Sequence, residues 1–573
     1  MYIQQNTSKA KSGKAYKSSL LCHKYREDGK IKTKVLANLS MLPEEAILSL
    51  SNALGGKKGA TFSLDQLSAT RAIDFGYAIV SILVMEQLRI GELFDKIFAT
   101  QSPVIKLLVL GKIITRGSKL AIFNWINRNP QIASILGVDL QKVKLENIYQ
   151  TLGMLPQHHD QINRKWALYN KTRHDEIFLY DITSSYFEGN QNVLSSYGYN
   201  RDGKKGKKQI TIGLITDTTG FPLKIQVFEG NTNDHKTVIE QLQTLKTDFN
   251  AKNIIFVGDR GMKIKCNLDK MEESERLGID YITGLTKDEI KSLIEKKIIQ
   301  MDMFSEQLAE ITDGTQRYIL SVNPELTTES KKFRNTMRDK FDESISILKS
   351  SYNKKQEQYK ENVLKLSGGH KNKNLVTQFT TKQIDSYKKR VNEKLKKYHM
   401  SSFYTVAIDD QKFETTFNWE QYNNERRLDG CYIVTSNIPV EKMDKETVRN
   451  HYKELQHVEH AFRDMKTCRL DVRPIFHVNE ATTRGHVLIT MFSYAIIHQL
   501  ESKIFPFLKE WNKENKQQLA YHDIEEELKD IKLIDLKIGK NCPKIIITEL
   551  TTLQQKIIDV LDIKQTDLMK KIM

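Results

Sequence analysis

The sequence predicts an α/β fold: a mixed-direction sheet core carrying a long insertion, preceded by a helical N-terminal module. Three observations carry this prediction. Helical periodicity gives way to strand-like apolar runs near residue 176; the stretch to 290 then reads strand, hairpin, helix, strand, helix, strand; and Lys-rich helical sequence interrupts that pattern before a further strand and two helices. At 573 residues the chain is too long for one core and calls for roughly three or four domains.

Residues 1–60 form a region with a β-hairpin, in which YKSSLLCHKY and KIKTKVLANL flank Glu27-Asp28-Gly29. Pro43 starts a short helix to Leu54, and Gly55–Gly59 reads as a linker. Residues 65–173 are helical by pattern (Ala72–Ile97, Val104–Asn127, then shorter pieces) and form a candidate DNA-binding or plain packing domain. The first core segment, 176–290, contains IFLYDITSSYFEG, a hairpin turning at Asp217–Gly220, a helix over His235–Phe249 with Asp234 as its cap, NIIFVGDRG, a helix over Asn267–Arg276, and DYITGLT. This is the order expected of a ribonuclease H-like core. Residues 291–428 form an insertion, a Lys-rich helical hairpin broken at Gly368-Gly369 and set between short strands. Residues 429–504 return to the core, and 505–573 make a C-terminal helical region with a last helix near Thr551–Lys571.

Charge narrows the function. Lys and Arg number 88 against 71 Asp and Glu, giving +17 and a pI near 9.2, which favours a polyanionic partner, nucleic acid before an anionic membrane surface. No apolar run reaches the roughly 18 residues of a membrane span, and the polar N-terminus lacks a signal-peptide core. Five cysteines without paired spacing fit a cytoplasmic protein with reduced thiols. Neither HExxH nor GxxxxGK[ST] occurs, so zinc hydrolysis and a nucleotide-driven motor have no support.

Asp181 follows the apolar run Ile177–Tyr180, and Asp259 follows Ile254–Gly258, so each carboxylate is expected at or near the end of a buried strand. The stretch His451–Lys466 has no Gly or Pro and is expected to form one amphipathic helix, with Val448, Leu455, Val458, Phe462 and Met465 on its buried side. Tyr452, Glu459 and Lys466, seven apart, drift only about 20° per step and form a stripe beside that face. Two strand-end Asp residues and Glu459 make a candidate three-carboxylate site for two Mg²⁺ ions, with Mn²⁺ as a substitute.

DRG at 259–261 and the spacing Tyr452-x2-Leu455-x3-Glu459-x6-Lys466 resemble the DDE transposases of bacterial insertion sequences, in particular the IS-four superfamily with its Y-x2-R-x3-E-x6-K signature. YREDGK, SYGYNRDGKKGKKQITIGLITDTTGFPL, GNTNDH and HVEHAFRDMK are similar to one branch of that group. The resemblance covers most of the chain. It implies a ribonuclease H-like core with an insertion in the 200-residue interval between Asp259 and Glu459. It also implies that Asp181, Asp259 and Glu459 are catalytic and bind metal, while Tyr452 and Lys466 position the DNA of the element's ends.

The activity implied is two-metal cleavage of transposon ends and joining of their 3′ hydroxyls to target DNA. Double-stranded DNA, as terminal inverted repeats and target, is the expected partner, with a homodimer in the synaptic complex, no membrane, and nucleoid association when DNA is bound. A ribonuclease H-like nuclease or resolvase without strand transfer, or a catalytically inactive DNA-binding relative, are the alternatives. Leu455 stands where the signature has Arg, and Arg463 is expected to take over part of that phosphate contact. Arg260 and the cluster Arg201, Lys204, Lys205, Lys207 and Lys208 are further candidates for DNA contact. His457 and His460 point away from Glu459 on the wheel and are expected to be solvated or DNA-facing.

Overall fold

The computed structural model describes residues 1–9, 15–27, 29–55, 67–170, 176–232, 237–238, 241, 245, 253–260, 279–306, 308–368, 376–467, 469–538 and 542–571. Contacts group the chain into two compact units, 1–81 with 503–573, and 82–502.

The larger unit is built on an eight-stranded sheet. Its strands are β1 (Ile177–Tyr186), β2 (Gln209–Thr216), β3 (Pro222–Glu229), β4 (Ile254–Gly258), β5 (Ile279–Gly284), β6 (Ala309–Asp313), β7 (Gln316–Val322) and β8 (Cys431–Ser436). They lie in the order β6-β7-β8-β5-β4-β1-β2-β3. β4 runs parallel to both β1 and β5, and every other pair is antiparallel. The antiparallel meander β3-β2-β1 continued by parallel β4 and β5 is the ribonuclease H-like arrangement, and β8, β7 and β6 extend it.

β2 is buried along its whole length, as a strand covered on both faces must be. Gly213 in it leaves room for Tyr180 of β1, whose hydroxyl lies 2.5 Å from where a Cβ would stand. The β2–β3 turn is closed by Asp217, whose Oδ1 accepts from the Thr219 and Phe221 amides and the Thr219 hydroxyl at 2.7–2.9 Å. Helix His159–Tyr169 fastens to β3: the Trp166 indole N–H donates to the Pro222 carbonyl at 3.1 Å, and its ring stacks on Phe221. Phe492, from helix Glu480–Asn515, meets both Trp166 and Phe94 edge-on.

The insertion carries its own core. Helix Pro324–Ser367 starts at Asn323, whose side chain accepts from two amides, and ends at Gly368. It packs along Thr381–Lys397 and the ribbon Tyr404–Ile408/Phe413–Phe417, burying Phe341, Leu348, Tyr352, Tyr387, Val391 and Phe413 together. Its two ends are joined at the sheet: the Asn323 amide donates to the Gly430 carbonyl at 2.8 Å, and Arg334 grips buried Asp429 through two bonds of 2.9 and 2.6 Å.

The smaller unit holds an antiparallel meander, Tyr2–Lys9, Ala15–Glu27 and Lys30–Asn38, and a second sheet in which Lys532–Ile538 lies between Cys542–Ile547 and Leu67–Asp74.

Several elements differ from the sequence expectation. The helix expected over Ala72–Ile97 is a strand to Asp74, then helices Gly76–Gln87 and Ile90–Ile97, with Arg89 in the left-handed region between them (φ 57°). The strand exists because its partner is Lys532–Ile538, more than 450 residues away, a pairing that local periodicity does not register. The C-terminal region, expected to be helical, likewise contains two strands beside its helices, paired with each other and, through Lys532–Ile538, with Leu67–Asp74, and Tyr2–Lys9 adds a strand to the expected N-terminal hairpin by pairing with Ala15–Glu27. The helix expected over Val104–Asn127 breaks after Thr115, where Arg116 is left-handed (φ 51°) and Ser118 caps a new helix at Lys119. Of the His235–Phe249 helix, residues 237, 238, 241 and 245 are helical; Asp28, Gly56–Gly59, Asn233, Asp234, His235, Gly261, Asn267–Arg276 and Gly369 lie outside the described residues.

Arg334→Ala leaves the Asp429 carboxylate buried with Lys287, at 3.8 Å, as its remaining cation among the described residues. Removing one partner of such a pair costs about 3 kcal/mol, and urea denaturation should show this as a lower midpoint.

Candidate active site

The site begins with strand register. β1 and β4 pair in parallel from Ile177↔Ile255 to Tyr180↔Gly258, where β4 stops. The next residues are Asp181 and Asp259, on neighbouring chains roughly 4.8 Å apart by sheet geometry. Asp181 does not end its strand, as the sequence suggested, but sits in its middle, since β1 continues to Tyr186. The crevice opens because the neighbouring strand ends.

The third carboxylate comes from a helix packed on β1. His451–Lys466 is not one helix: Lys445–Lys453 and Leu455–Lys466 meet at Glu454. There the backbone tightens (φ −63°, ψ −15°), the Glu454 amide donates to both Asn450 and His451 carbonyls, and the His451 imidazole lies 2.8 Å from the Glu454 carboxylate. The break leaves the apolar face intact, with Val448, Leu455, Val458, Phe462 and Met465 all buried. It turns Tyr452 and Glu459, now on separate helices, into the same pocket.

That pocket, about 400 Å³, is lined by Asp181, Asp259, Glu459, Tyr452, Arg260 and Lys453, with Leu455 and Gln456 completing the wall. The Arg260 amide donates to Asp259 Oδ1 at 2.7 Å, and the Tyr452 hydroxyl donates to the same oxygen at 3.4 Å. Gly284, at the end of β5, makes this possible: a Cβ there would stand 2.3 Å from the Tyr452 hydroxyl and 2.9 Å from Arg260 Cγ. Burial, then the charges of Asp259 and Glu459, push the Asp181 carboxyl up to about 7, against a backbone amide and Arg201 that favour its ionised form. Three carboxylates held so that they repel one another fit divalent cations of the Mg²⁺ class, and among the described residues no His or Cys lines the pocket.

The other sequence candidates divide. Arg260 lines the pocket; Arg463 is exposed and does not line it. Lys453 and Gln456, which the sequence reading missed, do line it; for Gln456 the available signal was its place three residues before Glu459, on the same helix face, whereas Lys453 adjoins a helix break that the sequence did not show. Lys466 is held by an ion pair of 2.9 Å to Asp202, whose side chain is buried and also pairs with Arg473. Arg201 is anchored by its amide, which donates to Ser184 Oγ on β1 at 3.1 Å. The loop carrying it is tied down by Gln209, whose side-chain amide donates to the Tyr199 and Gly230 carbonyls. Lys204 and Lys205 are exposed, Lys207 pairs with Glu188 at 2.6 Å, and Lys208 reaches the Asn190 carbonyl at 3.4 Å. His457 is not solvated as expected: it donates to the Thr218 carbonyl at 2.7 Å and packs on Gly220.

A further ligand-like group joins His460 and Asp464 of the Glu459 helix with Glu501 of helix Glu480–Asn515, with atoms within 4.8 Å of one another. Arg469 pairs with both of its carboxylates, so it is an ion-pair network.

Residues 172–492 match the family model described as Transposase DDE domain, and residues 3–61 match that of the IS1634 family transposase, N-terminal domain. Among curated proteins none matches the chain. Among solved structures, a piggyBac transposase synaptic complex with hairpin DNA is similar at 10% identity and TM-score 0.30, over 79% of this chain and 69% of that one. That similarity is too low to bear on the fold, which rests on the strand order.

Two outcomes are expected of the metal-free protein. Because the folded Asp181 carboxyl titrates near 7 and the unfolded one near 3.8, the folded state holds a proton between those values that the unfolded chain has released. Stability is therefore full below the lower value and is lost as pH rises through the upper one. Melting curves in chelator should show that fall, and Asp181→Asn should flatten it. Gly284→Ala should destabilise by about 1–3 kcal/mol through the Tyr452 clash, and Tyr452→Ala in the same chain should relieve that penalty.

Proposed function

The chain belongs to the Transposase DDE domain family of bacterial insertion sequences, and from that premise we propose that it cuts DNA at the ends of its element and joins the freed 3′ hydroxyls to target DNA. The observation that carries the reading is the convergence of Asp181, Asp259 and Glu459 on one pocket with Arg260 and Lys453 at its wall. The three carboxylates would hold divalent cations of the Mg²⁺ type, which when bound supply activation of the attacking oxygen and stabilisation of the leaving one. Arg260 and Lys453 hold the scissile phosphate against the carboxylates by charge-assisted hydrogen bonds. The Tyr452 hydroxyl and the Arg260 amide fix the Asp259 carboxylate.

In the first step water attacks the phosphodiester at the element's end, a P–O bond breaks and the 3′ hydroxyl is released. In the second that hydroxyl attacks a target phosphodiester, forming one P–O bond and breaking another. With Leu455 buried in the helix face, the phosphate contact that Arg makes in the signature passes here to Arg260 and Lys453, which line the same pocket. Lys466, paired with Asp202, supports the basic loop at Arg201 beside the site.

A labelled duplex bearing the element's end tests the proposal. Wild type with Mg²⁺ should yield both nicked and joined product; Asp181→Asn and Glu459→Gln should each fall below about one hundredth of that rate with the fold intact. Nicking without joined product would make the chain a nuclease instead. Arg260→Ala should lower strand transfer, whereas Arg463→Ala should leave it close to wild type.

A further inference from the structure

A second pocket, about 470 Å³, lies in the same unit and takes no part in the chemistry above. It is lined by Lys112, Arg116, Lys119, Arg473, His477 and His486, with Tyr149 and Phe476 as aromatic wall and Asp471 as the one carboxylate among the described residues. Lys112 and Lys119 are buried, at 4% and 7% exposure, where charged groups ordinarily need a partner of opposite sign. Neither has one within ion-pair distance among the described residues. Lys112 Nζ donates to the Asp471 backbone carbonyl at 3.1 Å, and Lys119 Nζ donates to His486 Nδ1 at 2.7 Å. His486 is thereby fixed as the neutral tautomer that donates from Nε2 to the Val472 carbonyl, at 3.3 Å. Each ammonium thus has donors left to offer the pocket.

The local fold adds to the excess of positive charge. Lys119 is the first residue of helix Lys119–Asn127, and Ser118, its cap, and Gly117 also line the pocket. The positive end of the helix dipole favours an anion there and disfavours a buried lysine. Burial pushes both ammonium groups below their ordinary range, Lys112 to about 8 against the opposing charge of Asp471, and Lys119 with the charge of Lys112 adding to the shift. The same burial and the same two lysines hold His477 neutral, at about 3. An anion reverses each of these penalties.

We propose that this pocket binds a phosphate group, held by Lys112, Lys119 and the amides at the start of helix Lys119–Asn127. Its size admits a phosphate together with part of a nucleotide, and Tyr149 and the exposed Phe476 offer faces to one. The phosphate is either part of a DNA backbone or free inorganic phosphate. The first source is favoured by Arg473: it lines the pocket and shares Asp202 with Lys466 of the Glu459 helix, so a strand leaving the carboxylates along that helix passes this rim. The phosphate site rests on the buried lysines alone; only its DNA source rests on the transposase reading.

The test uses the full chain, Lys119→Met, and Lys112→Gln in case the first variant fails to fold. Melting curves are taken in chloride and in inorganic phosphate at matched ionic strength, and affinity for a duplex is measured over a range of salt. Wild type should be stabilised by phosphate over chloride. The variants, relieved of a buried charge, should be at least as stable as wild type in chloride and should lose the phosphate response. If the source is DNA, each variant should also bind duplex about tenfold more weakly, with a salt slope reduced by about one. Loss of the phosphate response with unchanged duplex affinity supports the site with free phosphate as its ligand. If neither the phosphate response nor the duplex affinity and slope differ between wild type and variants, the proposal is wrong, whatever the strand-transfer assay has shown.

Discussion

The parallel pairing of β1 with β4, ending at Tyr180↔Gly258, is the constraint on which the site depends. Parallel strands keep a fixed stagger, so the residue after the last pair on each strand lies beside its counterpart. Here both are aspartates. A one-residue slip would turn every β4 side chain to the other face of the sheet and unseat close-packed residues such as Phe256 beside Phe178, which the packed core opposes. The register that fills the core therefore also sets two carboxylates side by side, and hydrophobic burial supplies the free energy that opposes their repulsion.

That repulsion is eased by what surrounds it. Glu459 reaches the pocket from a helix whose apolar face is seated on β1, and the break at Glu454 lets Tyr452 close on Asp259 across Gly284. Arg260 and Lys453 add positive charge at the wall. Further along the helix, one buried carboxylate, Asp202, takes both Lys466 and Arg473, tying the basic loop after β1 to the segment that follows the helix. The helix that carries Glu459 and the rim of the basic pocket are thus joined through one ion-pair centre.

The insertion separates Asp259 from Glu459 by 200 residues without disturbing their meeting. Its ends close on each other through Asn323, Gly430 and the Arg334–Asp429 pair, and β8, paired with β5, returns the chain to the sheet before the two helices that carry Tyr452 and Glu459. With its own aromatic core, the insertion adds mass to one edge of the sheet and leaves the strand order intact.

By itself the sequence determined what local pattern encodes. Apolar runs gave the sheet strands other than Ala309–Asp313, the Lys-rich period gave the insertion's helices, and the motif spacing named three carboxylates that come to line one pocket. Only the tertiary structure decided the rest. Leu67–Asp74 became a strand because its partner lies in the C-terminal region, and helix breaks at Arg89, Arg116 and Glu454 follow backbone conformations that side-chain periodicity does not register. Asp181 faces the crevice from mid-strand because β4 ends beside it. Lys453 joined the pocket, Arg463 did not, and Lys466 proved to be paired, since the direction of a long side chain depends on which carboxylate the fold brings near. The basic pocket at Lys112 and Lys119 was invisible for the same reason: charge in a sequence is a count, and its burial is a property of packing.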